Sequence, residues 1–186
     1  MKDKVLAQLR IADHFREIMV ELGLDVTNPS LKNTPNRVAK MLVTELCAGL
    51  HTEPPVMTAF KAEGSQMVVV KSISVTSLCE HHFLPFTGVC HIAYVPNKKI
   101  LGLSKFPRAV QYFAARPQVQ ERLTTDVAKF LAKAAGTENI AVVMDCSHSC
   151  CSLRGVKDPN PTTLTSYLGG IFFEGNVRQE FMSLIK

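Results

Sequence analysis

The chain has 186 residues, 46% of them hydrophobic and 20% charged, which is the composition of a soluble globular protein of ordinary domain size. No apolar run reaches the roughly 18 residues that a transmembrane helix needs, and the charged N-terminus is a poor secretory signal, so we predict a cytoplasmic protein with no membrane partner. The net charge of +5 fits either a nucleic-acid surface or a local pocket for a small polyanion, and charge alone does not choose between them.

The first fifty residues show helical periodicity. Apolar residues recur at helical spacing over 3–22, and Thr34-Pro35 supplies a cap and a first-turn proline for a second helix over 35–49. We therefore predict an N-terminal helical segment over residues 1–50, followed by a linker at 51–64.

From residue 65 the predicted order is two strands, two helices, two strands and a final helix. These elements cover about 67–76, 88–95, 104–115, 117–135, 139–146, 164–173 and 177–185. The order predicts an α+β core, residues 65–186, with a four-stranded antiparallel sheet and two helices on one face. Its open edges favour assembly into a ring. With no repeat or second domain in view, we predict one domain over 1–186.

Thiols and imidazoles cluster at two places. Cys79 and His82 are separated by two residues, the spacing at which a tight turn aims two side chains at one ion, and Cys146, His148, Cys150 and Cys151 form a second cluster. Thiolate and imidazole ligands favour zinc over magnesium or calcium. The alternative is that the cysteines are buried core residues, as we predict for Cys47 and Cys90.

The number of zinc ligands stays open at this level. Four protein ligands would make a structural site, and three would leave a position for water and catalysis. If the second cluster is extended, Cys146, His148 and Cys150 share one strand face and Cys151 lies on the other. Cys150 and Cys151 are then not expected to bind one ion.

Basic residues gather where an anion would bind. Ser104, Lys105 and Arg108 stand at a predicted helix N-terminus, which attracts anions through free N–H groups. Arg37 and Lys40 lie one turn apart on the second helix, and Arg154 follows the cysteine cluster; each alone is equally well a solvated surface charge. The carboxylate of Glu121 suits the paired N–H donors of guanine, although a Glu in a first helical turn is usually a dipole partner.

Six segments in this order resemble the signature segments of GTP cyclohydrolase I. They are TPNRVAKM (34–41), CEHHFLPF (79–86), GLSKFPR (102–108), RPQVQERLT (116–124), HSCCSLRGV (148–156) and TSYLGGIF (165–172). The resemblance covers about residues 11–186 and implies the tunnelling fold with its ββααββ core. It also implies a homo-oligomer, typically a decamer of two pentameric rings with active sites at subunit contacts, and no nucleic-acid partner.

The resemblance implies a role for each matched residue. It makes Cys79, His82 and Cys150 the ligands of one Zn²⁺ per subunit and His81 and His148 the proton-transfer residues. It assigns guanine recognition to Glu121, supported by Gln120. Triphosphate contacts fall on Ser104, Lys105, Arg108 and Arg154, with Arg37 and Lys40 reaching in from a neighbouring subunit.

The implied reaction is zinc-dependent hydrolysis of GTP at C8 of the purine, which releases formate and yields 7,8-dihydroneopterin triphosphate for pterin and folate-type pathways. The sequence departs at Cys151, where the family often has a bulkier apolar residue. Two alternatives remain. One is a tunnelling-fold nitrile reductase, which would need a nucleophilic cysteine and nicotinamide. The other is a non-catalytic zinc module that binds nucleic acid, which would have a fourth protein ligand to zinc and strongly salt-dependent binding. The downstream pathway, any regulation and the division of work between His81 and His148 are not readable from the sequence.

Overall fold

The computed structural model describes residues 3–186. The chain forms two compact units, one ending at Glu53 and one covering Pro54–Lys186, and each is described by itself. The expectation of one domain over 1–186 stays a prediction. In the described residues, no helix is both long enough and apolar enough to cross a bilayer.

The N-terminal unit is helical. It contains α1 (Lys4–Glu21) and α2 (Thr34–Met41), then a π-helical turn (Leu42–Leu46) and a 3₁₀ turn (Ala48–Leu50). Asp3 caps α1, because its Oδ1 accepts a hydrogen bond from the N–H of Val5 at 2.9 Å. The predicted second helix ends as an α-helix at Met41, since the backbone widens into the π turn there.

Apolar side chains line α1 without being buried in the single chain. Ala12 and Met19 are buried, but exposed positions outnumber them: Val5, Leu6, Leu9, Ile18 and Val20. Apolar exposure on this scale is typical of a surface that contacts another protein.

The larger unit is built on a five-stranded sheet with strand order β5-β2-β3-β6-β7. Four strands pair antiparallel: β2 (Val68–Cys79), β3 (Pro85–Tyr94), β6 (Ile140–His148) and β7 (Thr162–Leu168). The predicted antiparallel sheet is therefore present, but the sheet has five strands and not the predicted four. The fifth strand, β5 (Pro117–Gln118), pairs parallel with the end of β2.

The two predicted central helices are α3 (Lys105–Ala114) and α4 (Gln120–Ala135). The prediction began α4 at residue 117, yet 117–118 form β5, because their backbone groups are engaged by Leu78 and Cys79 of β2. Gly136, with φ of 66°, ends α4 in the left-handed conformation that a C-cap needs.

Three smaller elements complete this unit. β1 (Ala59–Lys61) pairs with β4 (Lys99–Leu101) as a separate two-stranded sheet, so the segment predicted as a linker is partly a strand. A 3₁₀ turn (Gly170–Phe173) replaces the end of the predicted last strand, and α6 (Gly175–Leu184) closes the chain.

The sheet separates two apolar clusters. On one face, side chains of α3 and α4 such as Phe106, Val110 and Leu131 cover alternate residues of the strands. On the other face, Phe172 and Phe181 pack beside Val143. Alternation along β6 thus places Met144 and Cys146 under the helices, and His148 continues that face to the end of the strand.

The contact between β3 and β6 is unusually close at one point. Gly88 lies opposite Cys146, and a Cβ on Gly88 would stand 2.0 Å from the carbonyl oxygen of Asp145. Only glycine fits this position. Two residues along, the same register sets Phe86 opposite His148.

Candidate active site

The first half of the site is the turn that leaves β2. Cys79 is the last residue of β2, and its N–H donates to the carbonyl of Leu84 at 2.8 Å, while the N–H of Phe83 donates back to the Cys79 carbonyl at 2.9 Å. Phe83 reverses the chain with φ of 54°, a conformation that costs a non-glycine residue about 1–2 kcal/mol. The closed turn holds Cys79 and His82 on one side.

The second half comes from the end of β6. The strand stops at His148, and Ser149–Ser152 form a single helical turn, α5. The expectation that Cys146, His148 and Cys150 share an extended face is therefore wrong for Cys150. The helical turn carries its thiol toward Cys79, whereas Cys146 stays buried in the core beneath the helices.

Cys79, His82 and Cys150 form the candidate metal site. Their ligand atoms all lie within 4.8 Å of one another, and no other such trio of ligand-type side chains occurs in the described chain. A tetrahedral zinc bound at about 2.0–2.3 Å would hold these atoms about 3.5–3.8 Å apart, so the arrangement needs little adjustment to receive one. Two thiols and one imidazole fit zinc and leave a fourth position for water.

Burial raises the pKa of several cysteine thiols in and near the candidate site. Burial, followed by the adjacent Cys79 thiol, raises the pKa of Cys150 to about 11. Burial raises the pKa of Cys146 to about 12 and also raises that of Cys90. Cys150 therefore needs a bound cation to become a thiolate at neutral pH, and the two core cysteines are inert.

Basic and imidazole groups surround the trio. Nη1 of Arg154 lies 3.0 Å from Nε2 of His82, so a guanidinium stands beside the imidazole of the trio. Nδ1 of His81 lies 3.8 Å from the Cys79 sulfur. Arg154 is exposed, so it offers its charge both to the site and to solvent.

His148 is held on two sides. Its ring stacks on Phe86 with centroids 4.8 Å apart and planes 15° apart. Its Nε2 lies 2.8 Å from Oε1 of Gln120, the first residue of α4. Burial lowers the pKa of His148, and the neighbouring carboxylate of Glu121 partly offsets that shift.

A second network links the turn after β2 to the start of α4. The N–H of Glu80 donates to the carbonyl of Gln118 at 3.0 Å, and Nε of Arg122 donates to Oε1 of the same glutamine at 2.8 Å. Arg122 also forms an ion pair with Glu80, and this hydrogen bond lowers the pKa of the Glu80 carboxyl. The turn that carries Cys79 and the helix that carries Glu121 are thereby joined.

The remaining predicted residues lie at three places. Glu121 is exposed in the first turn of α4, near enough to His148 to influence its charge. Ser104 is the N-cap of α3 without using its hydroxyl as a cap, and Lys105 and Arg108 follow in the first turn, so a helix N-terminus with basic side chains is present. Arg37 and Lys40 are exposed on α2 in the other unit, and their relation to the site stays a prediction.

The sequence did not identify the residues that position the predicted site residues. Phe86, Gln118 and Arg122 all lie inside segments quoted for the resemblance, but no role was predicted for any of them. Only the β3–β6 register, which no local pattern encodes, brings Phe86 against His148.

Comparison with known proteins gives the site a family context. The family model described as GTP cyclohydrolase I matches residues 11–186. The chain is 44% identical to GTP cyclohydrolase 1 of Flavobacterium johnsoniae, an alignment that covers 95% of this chain and 81% of that protein. It is 44% identical to the same enzyme of Mannheimia succiniciproducens over 99% and 86% of the two chains, and 45% identical to that of Salmonella choleraesuis over 95% and 81%.

The family match begins within α1, runs to the C-terminus and includes every segment that forms the site. With a family match over nearly the whole length and identities of 44–45%, the chain belongs to the GTP cyclohydrolase I family.

Proposed function

We propose that the protein is a zinc-dependent GTP cyclohydrolase that opens the purine ring at C8, releases formate and forms 7,8-dihydroneopterin triphosphate. The observation that carries this proposal is the three-ligand site of Cys79, His82 and Cys150 beside a half-buried, oriented histidine, His148. A four-ligand structural site would have no room for water, whereas three ligands leave one position open.

Zinc, when bound by these residues, supplies a hydroxide nucleophile at neutral pH. The chain's own groups then have three tasks. Glu121 accepts the N1–H and exocyclic amine of guanine, which adenine does not offer as a pair. His148 gives a proton to N7 as C8 is attacked, and His81, beside the Cys79 sulfur, is the second proton-transfer candidate.

The triphosphate is assigned to two groups of polar and basic residues. Arg154 lies beside His82, and Ser104, Lys105 and Arg108 surround the N-terminus of α3, where free N–H groups favour anions. We assign Arg37 and Lys40 to a neighbouring subunit's site, in a ring assembly for which the exposed apolar residues of α1 and the open sheet edge at β7 are the supporting features. A cytoplasmic location accords with this substrate.

The first experiment measures zinc content, formate and dihydropterin absorbance after incubation with GTP. Cys150→Ser is expected to lose zinc and activity together, while Cys151→Ser, which changes the adjacent exposed thiol outside the ligand trio, keeps both. Metal-replete protein that releases no formate from GTP would rule out the proposal.

A second variant tests base recognition. Glu121→Gln is expected to lower kcat/KM for GTP by about 100-fold, since a carboxylate built to pair with two N–H donors discriminates strongly. Its melting temperature should stay within about 2 °C of wild type, because an exposed side chain contributes little to stability. Unchanged GTP kinetics would move guanine recognition to another residue.

A further inference from the structure

The hydrogen bonds around Gln120 fix which oxygen and which nitrogen of its amide face which neighbour. The side chain is 1% exposed. Its Nε2 lies 3.1 Å from the carbonyl oxygen of Met144 and 2.7 Å from that of Thr163. Carbonyl oxygens only accept, so the NH₂ group must face them. If the amide were flipped, its Oε1 would face both carbonyl oxygens, and three acceptors would contact one another in a buried position.

The hydroxyls beside the amide agree with this orientation. Thr124 donates to the backbone carbonyl of Gln120 at 2.8 Å, which uses its only proton. The 2.7 Å contact between the Thr124 and Thr165 hydroxyls must then be a donation from Thr165. Thr165 is left with a lone pair for Nε2 of Gln120 at 3.0 Å. The two amide protons of Gln120 are thus shared among three acceptors, two carbonyl oxygens and the Thr165 hydroxyl, and none of these contacts needs the amide oxygen.

The remaining atom of the amide, Oε1, can only accept, and it lies 2.8 Å from Nε2 of His148. A hydrogen bond at this distance requires a proton on that ring nitrogen. In the opposite tautomer, two bare lone pairs would face each other at 2.8 Å in a half-buried position. Within the described chain, Nδ1 of His148 has no hydrogen-bond partner.

We infer that Gln120 holds His148 in the Nε2–H tautomer and so leaves Nδ1 as the only ring nitrogen that exchanges protons with substrate. Gln120 is then a positioning residue, buried behind the histidine, and does not contact guanine. In the forward step, the Nδ1–H proton of the doubly protonated ring passes to purine N7, and the ring returns to the neutral Nε2–H form without disturbing its bond to Gln120. The catalytic consequence rests on the proposed function, but the tautomer does not.

The tautomer can be measured without substrate. We would label the zinc-loaded protein with ring-¹⁵N histidine and record magic-angle-spinning NMR spectra at about pH 8, above the ordinary imidazole pKa of about 6.5. The His148 signals are identified by their loss in His148→Asn. We expect a protonated Nε2 and a bare Nδ1, the tautomer that the contact between Nε2 and Oε1 of Gln120 requires. A protonated Nδ1 with bare Nε2 would overturn the inference.

Two variants test the part played by Gln120. Gln120→Met keeps a side chain of similar length without donor or acceptor, and we expect it to give a mixture of both tautomers. Thr165→Val is the matched control, because it removes one contact of the amide but leaves the Met144 and Thr163 carbonyls to orient it. The control should keep the single Nε2–H tautomer. One unmixed tautomer in Gln120→Met, or a mixture in Thr165→Val, would contradict the argument.

Kinetics with GTP separate a positioning residue from a substrate contact. Partners that fix the tautomer of a functional histidine typically contribute about 10- to 100-fold, so kcat of Gln120→Met should fall by that factor while KM changes by less than about threefold. A large rise in KM with kcat preserved would return Gln120 to guanine binding. If the wild-type protein does not turn over GTP at all, the proposed function fails while the spectrum still decides the tautomer.

Discussion

Replacing Gly88 by alanine tests whether the β3–β6 contact fixes the position of His148, the proposed proton donor. The new Cβ would lie 2.0 Å from the Asp145 carbonyl oxygen, whereas real Cβ contacts under 3.0 Å essentially do not occur. The strands must therefore part by about 1 Å from their usual spacing of about 4.8 Å, which takes N–H···O bonds of about 2.9 Å out of range. Phe86 and His148, paired two residues away, would separate with them.

The energy follows from these changes. Two ladder bonds lost at about 1 kcal/mol each and overpacking strain of about 1–3 kcal/mol give a loss of about 3–5 kcal/mol in the free energy of unfolding. For a chain of this size that lowers the melting temperature by about 6–20 °C.

The assay is thermal and urea unfolding at one protein concentration, with kcat measured below the transition. Gly64→Ala is the control, because a Cβ there meets nothing within 4 Å and the substitution should stabilise by about 0.4–1 kcal/mol through the unfolded state. The free energy of unfolding of Gly88→Ala could instead lie within about 0.5 kcal/mol of wild type, a difference typical of neutral surface substitutions. In that case the close approach of β3 and β6 does not constrain the sheet.

Two further predictions concern the core and the turn after β2. Burial raises the pKa of Cys146 to about 12, so the stability that its neutral thiol contributes is complete below the unfolded pKa of about 9 and is lost as pH rises toward 12, with about 1.4 kcal/mol lost at pH 10. Urea unfolding at pH 7 and pH 10 should therefore show a smaller decrease in the free energy of unfolding for Cys146→Ala than for wild type. An equal decrease in both proteins would contradict the assignment. Glu80→Gln removes the ion pair with Arg122 but no ligand atom, so kcat/KM for GTP should fall by about 10-fold at unchanged zinc content. Loss of zinc in that variant would instead make Glu80 part of the metal site.

Local pattern predicted most of the larger unit. The pattern predicted a strand over 67–76, and β2 covers Val68–Cys79 with a register shift between Val70 and Ile73. The start of α4 was placed three residues early, because the pairing of Pro117 and Gln118 with β2 depends on a partner about forty residues away.

In the candidate site too, the residue types were predictable from the sequence, whereas contacts between distant residues were not. The ligand types and the C-x-x-H spacing indicated a metal at Cys79 and His82 from sequence alone. The turn that swings Cys150 off the β6 direction was invisible to alternation, since four residues of helix leave no periodic signal. The bond between Gln120 and His148 joins residues 28 positions apart and depends on how α4 lies on the sheet, which packing decides and composition does not.

The network of Glu80, Gln118 and Arg122 has a consequence for substrate choice. Two hydrogen bonds of Glu80 tie the turn that holds Cys79 and His82 to the helix end that holds Glu121, and a third between Arg122 and Gln118 braces that helix end, so these two parts of the candidate site keep a constant separation. Under the proposed function, the metal contacts one end of the base and the carboxylate of Glu121 contacts the other. The fixed distance between them then selects substrates by the length of the ring system. A guanine analogue with an expanded or a missing ring should be rejected even when it carries the same hydrogen-bonding edge.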